Sequence, residues 1–383
     1  MGAVRRGFGN GRVTRSAKVL DLYLKGQPMG IAEQKQWSSM GPPMAEGLLS
    51  DSGSSKQALA QKASEFISAE FIASRICPKL GPGNTASASD CDAKIIQNTG
   101  TGRLTLRYTF GPDNVVYAKL YGDELGAHCY QANLELWNNG FNKSGRYQVP
   151  EPLGFIAEHS LLFMRGVPGT PLGAVFDGDT SIDLVSGSGE AAEWLAAMHL
   201  SSLSLGAPDS DWDSLKLFRM ASRVIKAAAA RPEKLDMVRE VMDQLEQRVA
   251  QLAANRYFVC THGRYHHDHV FLSPVATSVI DLDRCRPSDP AKDAAEFVRV
   301  LRLTAFKEGY DMERAERATT AFLTTYLAKV PRAAESLGCY WAVFVFHSLL
   351  GGLKKSRNKG EKSWEQLEEF YLQEIKRALE FCR

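Results

Sequence analysis

The densest chemistry in the chain lies in Thr261-His262-Gly263-Arg264-Tyr265-His266-His267-Asp268-His269, which sets four histidines and an aspartate within eight residues. Imidazole and carboxylate are both zinc ligands, so a metal site is one chemistry to weigh. Twelve residues after His269 stands Asp281, in Val279-Ile280-Asp281-Leu282-Asp283-Arg284, and Pro287-Ser288-Asp289-Pro290-Ala291-Lys292-Asp293 follows. By itself Asp281, at the end of an apolar stretch, reads as readily as a turn or capping residue. Far upstream, Val115, Tyr117 and Lys119 fall on one side of an alternating segment. A lysine on a Val/Tyr face needs a partner or a cleft to point into. An ordinary strand lysine reaching back to water is the plain alternative.

These residues have to be held by a folded frame, and the composition supplies one. The chain has 383 residues, 44% of them hydrophobic and 9% aromatic. That is enough to bury a large core, and it excludes a disordered chain, a collagen-like repeat and a disulfide-stapled mini-protein. The length suggests two or three lobes. Forty-six basic and forty-four acidic residues leave a net charge of +2. Such a balance gives no broad basic field for nucleic acid. The longest mainly apolar run, 339–353, is broken by His347 and by Gly351-Gly352. It falls short of the ~20 residues of a comfortable membrane span, so no membrane partner is expected. Seven scattered cysteines without a C-x-x-C read as reduced thiols of a cytoplasmic protein. Residues 1–54 open with Arg5, Arg6, Arg12, Arg15 and Lys18, then turn rich in Gly, Pro and Ser. They read as a loosely ordered basic lead-in rather than a secretory signal.

Helical spacing of Ala60, Ala63, Phe66, Ile67 and Phe71 predicts a leading helix over 56–75, stopped by Pro78 to Gly83. Leu104, Leu106, Tyr108 and Phe110 alternate with polar residues and predict a strand, a turn follows at 111–114, and 115–120 is a second strand. A helix is expected over 127–137 and a short strand over 161–164. The chain then becomes helical, with apolar spacing at Ala191, Trp194, Leu195 and Met198 and again along 238–252. Short strands are expected at 257–261, 270–272 and 278–282, and Ser363 with Gln366 predicts a capping box for the last helix. The organisation expected is a lead-in over 1–54, a strand-rich lobe with its leading helix over 55–168, and a helical lobe over 169–383. Small-molecule sites favour the junction of such lobes.

The histidine-rich segment resembles the H-x-H-x-D-H pattern of metallo-β-lactamase-like hydrolases, but its first ligand position falls on Arg264. The whole order of motifs resembles another group. Tyr117-Ala118-Lys119-Leu120-Tyr121, Val149-Pro150-Glu151-Pro152-Leu153-Gly154-Phe155, Leu161-Leu162-Phe163-Met164 and Pro168-Gly169-Thr170-Pro171-Leu172 come first. Leu195-Ala196-Ala197-Met198-His199, His262-Gly263, Ile280-Asp281-Leu282-Asp283 and Asp289-Pro290-Ala291-Lys292-Asp293 follow. In this order they are similar to the aminoglycoside phosphotransferase and choline kinase-like family. The resemblance implies a bilobal, α+β, protein-kinase-like fold that binds ATP and Mg²⁺ or Mn²⁺ and phosphorylates a hydroxyl group. It implies that Lys119 neutralises the α- and β-phosphates and that Asp281 holds the metal. A Gly100-Thr101-Gly102 turn would approach the phosphates, and the strand from Met164 to Gly166 would meet adenine through its backbone. An ordinary hairpin explains the glycine turn equally well.

Three positions depart from the family. Its His-Gly-Asp signature reads His262-Gly263-Arg264 here, so a fixed cation stands where the carboxylate base belongs. The asparagine five residues on is His269, whose imidazole suits Mn²⁺ or Zn²⁺ better than Mg²⁺. The helical glutamate that partners the lysine falls at Gln131, with Glu135 nearby. Two readings follow. In one the enzyme works through an altered loop, with Asp268 or His266 as base and Arg264 as a phosphate clamp, on a small molecule or peptide. In the other it is a silent pseudokinase that binds a partner protein or peptide. Asp209, Asp211 and Asp213 would suit a cationic acceptor, or form a solvated acidic loop.

Overall fold

The computed structural model describes residues 63–81, 87–98, 103–111, 114–121, 125–179, 181–203, 205–206, 224, 231–252, 257–355 and 363–381. The 1–54 lead-in, Gly100, Gly102 and the aspartates 209, 211 and 213 lie outside the described residues. The described residues fall into two compact units. One runs from 63 to 205 and takes in His262–Cys285; the other lies within Gly206–Thr261 and Arg286–Arg383.

In the first unit the leading helix is broken into turns: Ser68 accepts from the Phe71 N–H at 3.2 Å to start Ala69–Phe71, and Ile72–Ile76 and Cys77–Lys79 continue it. Five antiparallel strands follow: β1 (Asp92–Asn98), β2 (Leu104–Thr109), β3 (Val115–Leu120), β5 (Pro152–Ile156) and β6 (Leu161–Arg165), in the order β1-β2-β3-β6-β5, with the two-residue β4 (Tyr147–Gln148) lying between β3 and β5 in the chain. The alternation expected in β3 is realised. Val116, Ala118 and Leu120 are buried with Leu106, Tyr108 and Phe163 against Phe66, Phe71 and Ile76. Val115, Tyr117 and Lys119 therefore face the other way. Each buried Val or Leu is worth about 1.5–3 kcal/mol. A one-residue slip, which would turn Lys119 into that core, is correspondingly disfavoured. Helix α1 (Leu125–Asn138) covers the opposite face, where Tyr121, Cys129, Leu162 and Met164 cluster.

A second small sheet, β4-β10-β9-β7, adds β7 (Thr170–Pro171), β9 (Val270–Leu272) and β10 (Thr277–Val279). It packs with α2 (Leu184–Leu200), capped by Asp183 at the Ser186 N–H, 3.0 Å. The Trp194 indole donates to Gln148 O at 3.0 Å, and the Tyr265 hydroxyl donates to Ala191 O at 2.7 Å. Those two rings stack 5.9 Å apart, which pins the start of the histidine loop onto α2. Trp194 and His199 are core residues, while Trp137 is half-buried.

The second unit is helical: α3 (Leu235–Leu252), α4 (Ala291–Lys307), α5 (Met312–Lys329), α6 (Ala334–Lys355) and α7 (Trp364–Glu380), with a two-stranded ribbon of β8 (Val259–Thr261) and β11 (Arg286–Ser288). Pro331–Leu353 is long and apolar enough to cross a membrane, and most of it is buried inside the protein, as in the core helix of a globular unit. Ser363 stands at the start of α7 as expected, but its hydroxyl makes no cap bond. Its carbonyl instead receives the Gln366 N–H at 3.0 Å.

Candidate active site

Lys119 and Asp281 are 162 positions apart in the chain, and their side chains form a direct ion pair. Both belong to the first unit. Strand β3 aims the lysine by its alternation. The aspartate stands just beyond β10, in a turn whose backbone is left-handed at Asp281, φ 71°. Aspartate tolerates that region better than most residues, yet the conformation costs about 1–3 kcal/mol, and such strain clusters at functional sites. The turn is clamped on both sides. Leu282 is buried beneath it, and the Ile280 N–H donates to His269 O at 3.0 Å. His262 Nε2–H donates to Ile280 O at 2.9 Å, and His262 Nδ1 accepts from the Arg264 N–H at 3.3 Å. Gly263 makes this crossing feasible. Its φ is +81°, and a Cβ there would lie 2.4 Å from Arg284 O.

Lys119 also reaches Asp283 Oδ1 at 3.3 Å. Burial works against the ammonium, but the two carboxylates outweigh it and raise its pKa. Burial likewise pushes the Asp281 carboxyl up, and the Lys119 charge overrides it and holds the group well below the usual carboxylate range. The site is therefore an ionised pair, poised to exchange partners with added charge.

His269 Nδ1 lies 3.1 Å from Arg264 O and so donates to it. Burial, then the neighbouring His266 and His262, lowers the His269 pKa to about 2, so the ring is neutral. Its Nε2 then carries a lone pair and faces Asp281 Oδ2 at 3.4 Å. Two acceptors facing each other suit a cation between them. With a carboxylate oxygen and an imidazole nitrogen, Asp281 and His269 would be the residues to hold a divalent ion. Among the described residues no three His, Cys, Asp or Glu side chains converge as a metal cage, so the zinc chemistry weighed from the histidine count finds no such group there.

The histidines serve several ends. His266 stacks against His269 with ring centroids 3.7 Å apart. Its Nδ1 is sealed from solvent without a hydrogen bond, 3.5 Å from Asp268 Oδ2. His267 Nδ1 donates to Asp268 Oδ1 at 2.9 Å. His266 and then His267 hold the Asp268 carboxyl far below its ordinary value. Asp268 is thus an anchored anion, a poor proton acceptor. Arg264 is exposed, and its guanidinium makes no ion pair among the described residues.

Other expected residues lie elsewhere. Gln131 is exposed on α1, with its amide on Glu135 at 2.7 Å, and does not meet Lys119. Met164 is buried in β6 between β3 and β5. The Arg165 N–H donates to Glu151 O and the Gly166 N–H to Val115 O, so an adenine at this strand would have to use other backbone groups. The residues that sequence reading passed over are Asp283, Tyr121, Cys129 and Arg103. The Asp283 signal was present in Ile280-Asp281-Leu282-Asp283, which sets a second carboxylate two residues after the first.

The fold has solved counterparts. A choline kinase from Cryptosporidium parvum superposes with a TM-score of 0.52 at 13% identity, over 82% of this chain and 97% of that one. A choline/ethanolamine kinase family protein from Mesorhizobium loti gives 0.51 at 14%, over 84% and 95%. A glucosamine kinase solved with glucosamine, ADP and inorganic phosphate gives 0.51 at 15%, over 76% and 82%. At these identities the likeness establishes the protein-kinase-like α+β fold. No curated protein matches the sequence. The model of the phosphotransferase enzyme family (APH) matches residues 134–334, more than half of the chain. That stretch carries the histidine loop and the Asp281 turn on which the ion pair depends, and with it the chain belongs to the phosphotransferase enzyme family.

Proposed function

We propose that the protein binds ATP with Mg²⁺ or Mn²⁺ and transfers the γ-phosphate to a hydroxyl group of a small molecule or peptide. The observation that carries this reading is the convergence of Lys119 and Asp281 from distant parts of the chain. Phosphoryl transfer asks for positioning and charge cancellation rather than covalent chemistry. Lys119 would meet the α- and β-phosphates, and Asp281 with His269 would hold the metal, which supplies further neutralisation when bound. The acceptor oxygen bonds to the γ-phosphorus as its bond to the ADP oxygen breaks, and the hydroxyl proton goes to His266. The sealed Nδ1 beside Asp268 leaves Nε2 as the ring atom that takes it, and the Asp268 charge 3.5 Å away would stabilise the cation that forms. Arg264, exposed at the mouth of the loop, is placed to attract phosphate.

Calorimetric titration with ATP and either metal, followed by an ADP-release screen over amino alcohols, amino sugars and hydroxyl peptides, tests the reading. Micromolar binding with turnover on one class supports it, and a well-folded protein that binds no nucleotide overturns it. The exposed Arg264 at the usual base position favours a second reading, a nucleotide-binding but silent pseudokinase acting through a partner. Arg264→Asp separates the two. A rise of about 10²-fold or more marks the arginine as the silencing change. A fall gives Arg264 a catalytic part of its own.

A further inference from the structure

The geometry points to Asp283 as the positioning carboxylate for Lys119, replacing the acid that a helix would supply. Asp283 Oδ1 accepts from Lys119 Nζ at 3.3 Å and from the Tyr121 hydroxyl at 2.7 Å, and Cys129 Sγ lies 3.6 Å away. Its other oxygen is 3.7 Å from Arg103 Nη1, and the side chain is only 13% exposed. Burial and then the Asp283 charge raise the pKa of both Tyr121 and Cys129, the thiol to about 12, so both remain protonated donors. Asp283 is thus an acceptor surrounded by donors from the residue before β2, from β3, from the residue after β3, and from α1.

The helix route is closed. Cys129 is the α1 residue that meets this network. Gln131 is two residues on, about 200° around the helix, and points to solvent. A carboxylate at 131 would not reach the lysine. The two aspartates of one short turn therefore divide the work. Asp281 is the strained residue whose free oxygen faces His269, and it is the one to leave Lys119 for a cation. Asp283 stays, so the lysine remains oriented when Asp281 is engaged. The same turn is tied to α1 by His128 Nε2–H, which donates to Cys285 O at 2.6 Å. The lysine's alignment is consequently built into the β3 and Asp281–Asp283 segments rather than depending on a helix carboxylate.

The part that Asp283 plays in catalysis rests on the phosphotransferase reading, but its hold on Lys119 can be measured without nucleotide. Lys119 acylation by an amine-reactive ester at pH 8, followed by peptide mass spectrometry, reports how far the amine is kept protonated. One opposite charge at this range shifts a pKa by about 1–3 units, so Asp283→Asn should speed Lys119 labelling about tenfold or more. Asp281→Asn, which removes the nearer carboxylate but leaves Asp283, should speed it too, yet keep Lys119 slower than an exposed lysine of the same protein. Gln131→Glu should change nothing. Equal labelling of Asp283→Asn and wild type overturns the proposal, and so does an Asp281→Asn protein whose Lys119 labels as fast as an exposed lysine. If Asp283→Asn does not fold, the Asp281→Asn result alone decides. With MgADP, Asp283→Asn should weaken nucleotide affinity more than acceptor KM. Wild type that fails to bind MgADP sinks the kinase reading and leaves the labelling result to judge Asp283.

Discussion

Two cations of this protein each sit between carboxylates, and they are built differently. In the second unit, Arg302 is 4% exposed and Glu374 5%. Arg302 Nε and Nη2 donate to the two Glu374 oxygens at 2.7 Å each, and Nη1 donates to Glu316 at 2.6 Å. Arg377 braces Glu316 from the far side. Each group is carried by a regular helix, and all three guanidinium nitrogens are engaged. In the first unit, Lys119 and Asp281 are each 20% exposed, on a strand and on a left-handed turn. An oxygen of Asp281 still faces a neutral imidazole at 3.4 Å. A fully satisfied network on helices holds a fold together. A partly open one on strained backbone can change partners, and that is what a binding site needs.

The comparison breaks first at Lys119 and Asp281. Lys119→Met and Asp281→Asn should each lower phosphoryl transfer about 10³-fold or more while moving the melting temperature by only a few degrees. Asparagine is the informative replacement because it also tolerates the left-handed backbone. Retained turnover in an ADP-release assay would remove the pair from the mechanism.

Arg302→Met should do the reverse. Leaving Glu374 buried without its cation costs about 3–5 kcal/mol, read by urea unfolding. MgADP affinity of the folded fraction should match wild type. Exchanging Arg302, Glu316 and Glu374 together for apolar residues should recover most of the loss.

Gly173→Ala sharpens the contrast within the site. A Cβ there would lie 2.0 Å from Asp268 Oδ1 and 2.8 Å from His267 Nδ1, so the carboxylate must move. Turnover should fall about tenfold to a hundredfold with little change in acceptor KM, because the ring that takes the proton loses the carboxylate charge beside it. An unchanged kcat would free Asp268 from any catalytic part.

The smallest effect is at Glu246 on α3, where burial and then Asp243 raise the carboxyl from 4.5 to about 7. A folded-state pKa above the unfolded one means that the folded state binds the proton more tightly. The stabilisation is complete below pH 4.5 and is lost as pH rises through 7. Wild type should therefore melt lower at pH 8 than at pH 5 by an increment that Glu246→Gln lacks.

Much of the site could be read in the chain because it follows strand alternation. Val116, Ala118 and Leu120 had to be buried, so Lys119 had to face the other way. The position of Asp281 at the end of an apolar stretch was equally visible. Gln131 was found by counting along the chain, whereas contact with the lysine's carboxylates depends on rotation about α1, and that rotation selects Cys129. Strand β1 escaped notice because Lys94 and Gln97 interrupt its pattern and leave Ile95 and Ile96 both exposed. Asp268 read as a base by type, yet its two histidine neighbours make it an anchor.

The sequence alone determined which faces are apolar where the pattern is regular, as in β2, β3 and α2, and which side of them a polar residue takes, because burial acts at the period of the local backbone. Only the tertiary structure decided which charges meet. Pairing Lys119 with Asp281 and Asp283, and sealing His266 beside Asp268, depends on packing between segments more than a hundred residues apart or on the rotation of a single ring, and no local period carries that information.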